Sequence, residues 1–594
     1  VLYFSSNGEL LGPGGHRRNA LPDDRWQQNM TRNFLILAGS IVLLATLAGG
    51  ASKHVRRAKS SAGVPLYTVT DDIEDDYNEA IETVSANYAG DVDYEKATQA
   101  AIQGMLSTLD PHSSYFTYNE FRKLKEDQDS RFYGIGVTIN QHRDGVYIQS
   151  TVEDTPAARA GLRYGDRIVE VDGKDARGWD SQQVSKNVRG ARGEAVNLKV
   201  ERAGSEAPLY FTIVRDAVAL PTIRNAYMVR PGTGYIGLTG GFQRTSDDEL
   251  RESLAKLKSQ GMRQLVLDLR GNPGGLLEQA IDVSSEFLPR GQVIVSVKGR
   301  TEYSDPIVYK SKGSDPEDVP LVVLINRNTA SASEIVAGAI QDQGRGLIVG
   351  ETSFGKGLVQ RIFPLPGNNG LTLTTARYYT PYGRSLQRDY SNGSFYDYYV
   401  RHDAEVAEPT PAASPKSNQT PLSQASPPTH LPTGPAVKTA NGRVFYGGGG
   451  ITPDIESHLP PGSLLRNRIV DEAFYFTRLW AAGAIPGLES YKVEKVQYRH
   501  NPRATDYAIT DQVLEAFRNY VKADVDAGLT LAQLETEIDF VKLRLREQMI
   551  TAAYGADDGA RILLDSDPQV MRAIEALPDA KRLAESVRNA ASQG

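Results

Sequence analysis

Hydrophobic positions along the chain change their spacing several times, and each change marks a boundary. Residues 66–128 place Ile73, Tyr77, Ala80, Ile81 and Val84, then Ala101, Met105 and Leu109, at the interval of amphipathic helices, with a stop at Asp110-Pro111. From residue 131 the period falls to two, and Gly134, Gly136, Gly145, Gly161, Gly165 and Gly173 punctuate short strands. Between 220 and 360, apolar runs at 265–269, 321–325 and 347–349 alternate with helical patterns at 276–287 and 333–341. Alternating elements of this kind predict a layered α/β structure around a mostly buried sheet. Beyond Pro461 helical spacing returns. Thr530-Leu-Ala-Gln533 has the form of a capping box, and Leu531, Leu534, Ile538, Val541 and Leu545 make an apolar stripe. This region is expected to pack on itself or on a second subunit, the latter making the chain a homo-oligomer.

Two stretches follow neither pattern. Residues 34–48 are one apolar segment behind Arg32, with Ala48, Gly49, Gly50 and Ala51 at its exit. As a helix it spans about 22 Å, against roughly 30 Å of bilayer hydrocarbon. Residues 30–51 are therefore expected to be a signal peptide beginning at Met30, or else a membrane anchor, with 1–29 a disordered extension or a mis-set start. Lys53, Arg56, Arg57 and Lys59 follow the segment, so charge does not settle its orientation. The second stretch, 409–435, holds eight prolines in 27 residues among many Ser and Thr. It cannot bury a core, and residues 405–436 are expected to be a Pro-rich disordered insert.

Composition narrows the chemistry. With 66 basic and 73 acidic residues in 594, the net charge is −7, and no long Lys/Arg run is present. Both facts argue against a nucleic-acid partner. The absence of cysteine excludes disulfides, thiolate zinc sites, iron–sulfur clusters and a cysteine nucleophile together. The eight histidines stand at 16, 54, 112, 142, 402, 430, 458 and 500, which leaves 143–401 with none and no close zinc-helix pair. Hydrolytic chemistry in that stretch is expected to run without histidine, with His112 and His142 acting at most from outside.

Three turns in the central stretch could carry chemistry. Arg270-Gly-Asn-Pro-Gly-Gly275 joins a strand to a helix, where exposed N–H groups can form an oxyanion hole; an ordinary tight turn looks the same. In residues 326–334, Ser331-x-x-Glu334 is a capping box, yet a serine at a strand-to-helix turn is also where hydrolases present a nucleophile. Residues 350–356 nearly match a phosphate-binding loop. That match fails because Gly357 replaces the Mg²⁺-binding hydroxyl and 358–363 read as a strand. Lys356 is instead a candidate base, if a dry setting brings its pKa from about 10.4 towards 7–8. Gln360, four residues on, is expected on the same strand face, where it could hold the amine.

Gly-Asn-Pro-Gly-Gly (271–275), Thr-Ala-Ser-Ala-Ser-Glu-Ile-Val-Ala-Gly-Ala (329–339) and Phe-Gly-Lys-Gly-Leu-Val-Gln (354–360), in this order, closely resemble the C-terminal processing (tail-specific) peptidases. The resemblance implies a serine protease with a Ser–Lys dyad completed by Gln. Its 25-residue separation falls on Ser331 and Lys356, selecting Ser331 over Ser333, and its glutamine falls on Gln360. It also implies oxyanion donors at Ala332 and at Gly274 or Gly275, a supporting part for Asp342, and no metal or organic cofactor. Residues 101–114 resemble the family's N-terminal helical region. Gly134-Ile-Gly-Val137, residues 155–162, and Gly165-Asp-Arg-Ile168 with Val171-Asp-Gly173 resemble a PDZ domain of the bacterial type. Such a domain would take a substrate's C-terminus at Gly134, Ile135, Gly136 and Val137. Residues 450–455 resemble the end of the protease core.

The expected architecture is multidomain α/β. A layered protease core of the crotonase/Clp type occupies 218–404 and 437–460, behind a helical region at 66–128 and an inserted PDZ domain at 129–217, with a helical C-terminal region at 461–594. The expected protein is an exported serine endopeptidase, periplasmic or extracytoplasmic, that acts on proteins or peptides with free C-termini. It would be membrane-associated through 34–48 if that segment is uncleaved. Two rivals share the fold: a non-catalytic binding protein, and an acyl-CoA enzyme of the crotonase type. The intact Ser331, Lys356 and Gln360 set opposes the first. The PDZ-like segment opposes the second.

Overall fold

The structure, a computed structural model, describes residues 66–300, 305–390, 398, 434–524 and 526–593. The apolar runs form a sheet. Strands Thr233–Leu238, Gln264–Asp268, Leu321–Ile325, Leu347–Gly350 and Ile455–Glu456 lie parallel in that order, with Ile223–Arg230 antiparallel at one edge. Leu265, Leu267, Leu321, Val323 and Ile325 share one core with helices Ser246–Ser259, Leu277–Ser285 and Ala332–Asp342. Val266, Val322 and Leu324 face the other way, onto Val570, Ala573, Ala576, Leu577 and Ala580 of the last helix, Pro568–Gln593. The expectation that the C-terminal region packs on itself is thus incomplete. A parallel sheet has two apolar faces, and the last helix is the cover of the second.

A second sheet pairs Leu358–Pro364 with Gly370–Tyr379, which also pairs with Val293–Gly299 and with a short strand, Ser114–Phe116. That short strand corrects the all-helical reading of 66–128. The helices are Leu66–Asn87, Tyr94–Ser107 and Tyr118–Gln128. The second stops ahead of Asp110, whose carboxylate accepts the N–H groups of His112 and Ser113 at 2.8 and 2.9 Å and the Ser113 hydroxyl at 2.7 Å. This Asx-type turn sends the chain into the strand. Described residues 66–97 belong to a unit separate from the rest, and in it Ile73, Tyr77 and Val84 of the predicted helical stripe are exposed.

The segment read as a PDZ domain builds one sheet from Val137–His142, Gly145–Thr151, Arg167–Val171, Ala195–Glu201 and Leu209–Val214, beside helix Ser181–Val188. Arg131–Gly134 pairs with Asp216–Ala219, so the two ends of the domain leave together. The C-terminal helices grip it. His142 stacks on Phe474 with ring centroids 3.8 Å apart, Arg143 bridges Glu472 and Asp524 at 2.5 Å each, and Tyr147 and Tyr164 join the core around Phe474 and Trp480. The Thr530 capping box is present, but the stripe 531–545 is split at Glu537 into helices Leu531–Thr536 and Ile538–Tyr554, and Leu531 is exposed.

The segment 34–48 and residues 405–433 of the insert expected at 405–436 lie outside the described residues, whereas Ala436 belongs to a short strand, Ala436–Lys438; among those described, no helix is long and apolar enough to cross a membrane.

Because Leu577 is fully buried against the sheet, Leu577→Ala is expected to destabilise the fold by about 2–5 kcal/mol. Leu464→Ala, at an exposed position, is expected to stay within about 0.5 kcal/mol. Denaturant unfolding followed by circular dichroism compares the two.

Candidate active site

Three parallel strands end side by side, and each feeds one loop of the site, as open α/β sheets commonly arrange their sites. Gln264–Asp268 leads into 269–275, Leu321–Ile325 into 326–331, and Leu347–Gly350 into 351–357. At the second of these turns Ser331 adopts φ 57° and ψ −116°, immediately before helix Ala332–Asp342. A non-glycine residue held there stores about 1–3 kcal/mol of strain. The geometry is that of a sharp strand-to-helix elbow. The Glu334 N–H bonds the Ser331 carbonyl oxygen at 2.9 Å. Ser331 retains 8 % exposure, whereas Ser333 retains none and donates its hydroxyl to the Asn272 carbonyl at 3.1 Å. Of the two serines, only Ser331 is open to a ligand.

Glu334 organises the surroundings, a role its place in a capping box did not announce. One carboxylate oxygen accepts the N–H of Ser331 at 2.8 Å and of Lys356 at 2.9 Å. The other accepts the Ser353 hydroxyl at 2.5 Å and the Gly355 N–H at 2.8 Å. The amide nitrogens of Ser331 and Lys356 therefore lie within about 6 Å of each other, on either side of one oxygen atom. Burial pushes the Glu334 carboxyl up, and the four donors pull it back.

The Lys356 amine makes no ion pair with a described carboxylate. Burial holds its pKa below the usual lysine range, while the charges of Glu334 and Asp110 act against that shift. A lowered pKa is what a lysine base requires. The lysine's own turn is fixed from both sides, since Gly357 donates its N–H to Gln387 Oε1 at 2.9 Å and Arg388 donates its N–H to the Gly355 carbonyl.

One expectation needs correcting here. His112 is not outside the core. The Ser114–Phe116 pairing brings it beside Lys356, and burial together with the lysine's charge holds its pKa down to about 4. Its Nε2 lies 2.9 Å from the Tyr398 hydroxyl. His142, by contrast, is far along the chain's other interface, stacked on Phe474.

Gly274 approaches Ser331 so closely that a Cβ there would lie 2.7 Å from Ser331 Cβ and 2.8 Å from the Ala332 nitrogen. Its φ of +91° likewise demands glycine. Its N–H, however, is donated to Asn272 Oδ1 at 2.9 Å. Gly275 and Ala332 donate their N–H groups to no described residue. Those two are the amides left to receive an oxyanion.

Gln360 differs from its expected placement. Lys356 precedes strand Leu358–Pro364, and the register shifts between Val359 and Gln360, so the two side chains do not follow simple alternation. Gln360 Nε2 instead lies 3.4 Å from Thr374 Oγ1. Asp342 sits at the far end of helix Ala332–Asp342, ion-paired with Arg384 and accepting the Tyr382 N–H at 3.3 Å. It thereby holds the loop that contains Gln387 and Arg388. Gly134, Ile135, Gly136 and Val137 line an apolar groove with Phe132, Ile168 and Val184. The carbonyls of Ile135 and Gly136 accept the N–H groups of Ala157 and Val152, while no described residue accepts the N–H of Ile135 or Gly136. Among the described residues no group of three or more His, Asp or Glu side chains could hold a metal ion.

Peptidase family S41 matches residues 232–398, and a PDZ domain matches 134–210. The carboxy-terminal-processing protease of Bartonella bacilliformis is 39 % identical over 315 residues, 52 % of this chain and 72 % of that protein. Carboxy-terminal processing protease CtpA of Bacillus subtilis is 31 % identical over 349 residues, 59 % of this chain and 74 % of that one. Among solved structures, the photosystem II D1 C-terminal processing protease is 30 % identical, with 52 % of this chain and 84 % of that chain covered and a TM-score of 0.31.

Four donors converge on Glu334, and a glutamine there would turn two of them against an amide NH₂. Glu334→Gln is expected to reduce turnover by about 10²-fold or more and to lower thermal stability by about 1–3 kcal/mol per unsatisfied donor. Peptide hydrolysis and calorimetric unfolding of the same preparation check both.

Proposed function

The chain belongs to the family of carboxy-terminal-processing serine peptidases, and on that premise we propose that Ser331 is its nucleophile and Lys356 its general base. The observation that carries this is the single Glu334 oxygen that accepts the N–H groups of both residues. In this mechanism the neutral Lys356 amine takes the Ser331 proton as Oγ attacks the scissile carbonyl carbon. The N–H groups of Gly275 and Ala332 receive the oxyanion, which is worth about 10²–10³ in rate per donor. Lys356 then protonates the leaving amine, and water releases the acyl group by the same route reversed. Gln360 supports the lysine from the strand that follows it; its 3.4 Å contact with Thr374 is long enough to be exchanged. Asp342 acts at one remove, through Arg384.

Substrates are proteins or peptides presented by their free C-termini. The groove at Gly134–Val137 has the apolar lining and unengaged N–H groups that a terminal residue and its carboxylate require. Export, with residues 34–48 as signal peptide or membrane anchor, completes the reading and rests on the sequence of that segment.

Ser331→Ala is expected to abolish hydrolysis with the fold intact, and Ser333→Ala to leave substantial activity. Lys356→Arg should be inactive too, because a guanidinium cannot accept the proton. Normal turnover in Ser331→Ala or Lys356→Arg would overturn the assignment.

The saturated rate is expected to rise with pH through an apparent pKa below the ordinary lysine value of about 10.4. The sign follows from burial, which disfavours the charged amine. His112, held down to about 4, is already neutral over that range. A pH–rate profile of His112→Asn should therefore keep its rising limb. Loss of the limb would assign the base to histidine.

Amidating a substrate's C-terminus removes the charge that the groove would bind, and should weaken binding by about 1.5–3 kcal/mol. Matched free-acid and amide peptides, compared by kcat/KM, test this; equal values would sink C-terminal reading.

A further inference from the structure

The oxyanion loop is fastened to a part of the chain that the catalytic motifs do not include. Arg270, the first residue of the loop 270–275, keeps 11 % of its side chain exposed, and its guanidinium divides between two sets of acceptors. Nε and Nη2 donate to Asp268 at the end of strand Gln264–Asp268, with Nη2 at 2.7 Å. Nη1 donates to Asp567 Oδ2 at 2.9 Å and to Gln569 Oε1 at 2.7 Å. Asp567 and Gln569 stand at the start of the last helix, where Asp567 Oδ1 caps the N–H groups of Gln569 and Val570.

The same helix start reaches the lysine's strand. Gln569 is fully buried, and its Nε2 donates to the Ser457 carbonyl at 2.5 Å. The Ser457 N–H in turn bonds the carbonyl of Gly350, the residue that ends strand Leu347–Gly350 and opens the loop to Lys356. Asp567 and Gln569 thus hold one end of the loop with the Gly275 N–H and one end of the loop with the lysine. Downstream of Arg270 the loop has little slack. The Gly271 N–H bonds Asn326 Oδ1 at 2.9 Å, the Asn272 side chain bonds the Leu238 carbonyl and the Gly274 N–H, and the Asn272 carbonyl accepts the Ala330 N–H at 3.0 Å. A shift at Arg270 is therefore carried to Gly275 and to the Ser331 turn.

We infer that Asp567 and Gln569 are positioning residues for the peptidase reaction, aligning the oxyanion donors through Arg270. The inference rests on the proposed roles of Ser331 and the Gly275 and Ala332 amides. It gives the C-terminal helix a part in catalysis besides covering the sheet. Charge placement supports it: an arginine buried between two carboxylates is held in one orientation, because any rotation leaves a buried charge unpaired.

The test uses the full chain with Asp567→Ser and Gln569→Leu, singly and together. Serine keeps the helix cap but is too short to reach Arg270. The probes are a peptide substrate and a peptide boronic acid, whose boron bonds to Ser331 Oγ while the displaced proton passes to Lys356, leaving a tetrahedral anion in the oxyanion hole. The double variant is expected to lose about 10–100-fold in kcat, with KM within about twofold and boronate affinity falling in parallel with kcat. Wild-type kcat and boronate affinity in Asp567→Ser, or a kcat loss with boronate affinity unchanged, would overturn the inference. The Ser331→Ala control separates the two levels. If it binds the boronate as tightly as wild type, the nucleophile assignment fails; if it does not bind while the double variant binds normally, only the positioning role fails.

Discussion

Four hydrogen bonds to the Glu334 carboxylate hold the site together. Burying a carboxylate is costly unless its oxygens are paired, and here every donor comes from a loop that the chemistry needs. Two belong to the lysine turn, one to Ser331 and one to Ser353 on the approach to the lysine. The strained Ser331 backbone persists because the group bonding its N–H is itself locked by three other donors. The same saturation has an electrostatic effect. Glu334 accepts the Lys356 backbone N–H and forms no ion pair with its amine, and burial holds the amine's pKa down against the pull of the Glu334 charge.

The rest of the fold serves to deliver those loops to one place. A parallel sheet ends all its strands in the same direction, so residues more than eighty positions apart, from Arg270 to Lys356, meet at one edge. The arrangement requires cover on both faces. Helices next to the strands in sequence cover one face, and the last helix, more than a hundred residues beyond the final strand Ile455–Glu456, covers the other. Between that strand and that helix the chain wraps the PDZ domain, gripping His142, Arg143, Tyr147 and Tyr164. Peptide-binding domain and catalytic core are thereby tied through one C-terminal region, with ion pairs at its rim and aromatic rings at its centre.

Local pattern alone disclosed a good deal. The apolar runs at 265–269, 321–325 and 347–349, alternating with helical patterns, read as strands of a mostly buried sheet, and the glycine spacing after 131 as short strands and turns. Local motifs made Ser331, Lys356 and the 271–275 turn candidates beside ordinary readings as a cap, a surface lysine and a tight turn, and the resemblance to the C-terminal processing peptidases selected them. What tertiary structure decided was every relation between distant segments. His112 entered the lysine's surroundings because Ser114–Phe116 adds to a sheet whose partner strand lies more than 250 residues away. Gly275 was distinguished from Gly274 only by the Asn272 side chain, which engages one of two otherwise equivalent amides. The bulge at Gln360 overturned a strand-alternation argument that assumed unbroken register. Asp567 and Gln569 carried no mark at all, since a helix cap and a buried glutamine look alike wherever they occur. The sequence by itself determined which residues could do chemistry, because propensity, periodicity and spacing act over a few residues. Which of them do it together depended on strand order, register and the shared hydrogen-bond acceptors, and those are properties of the folded chain alone.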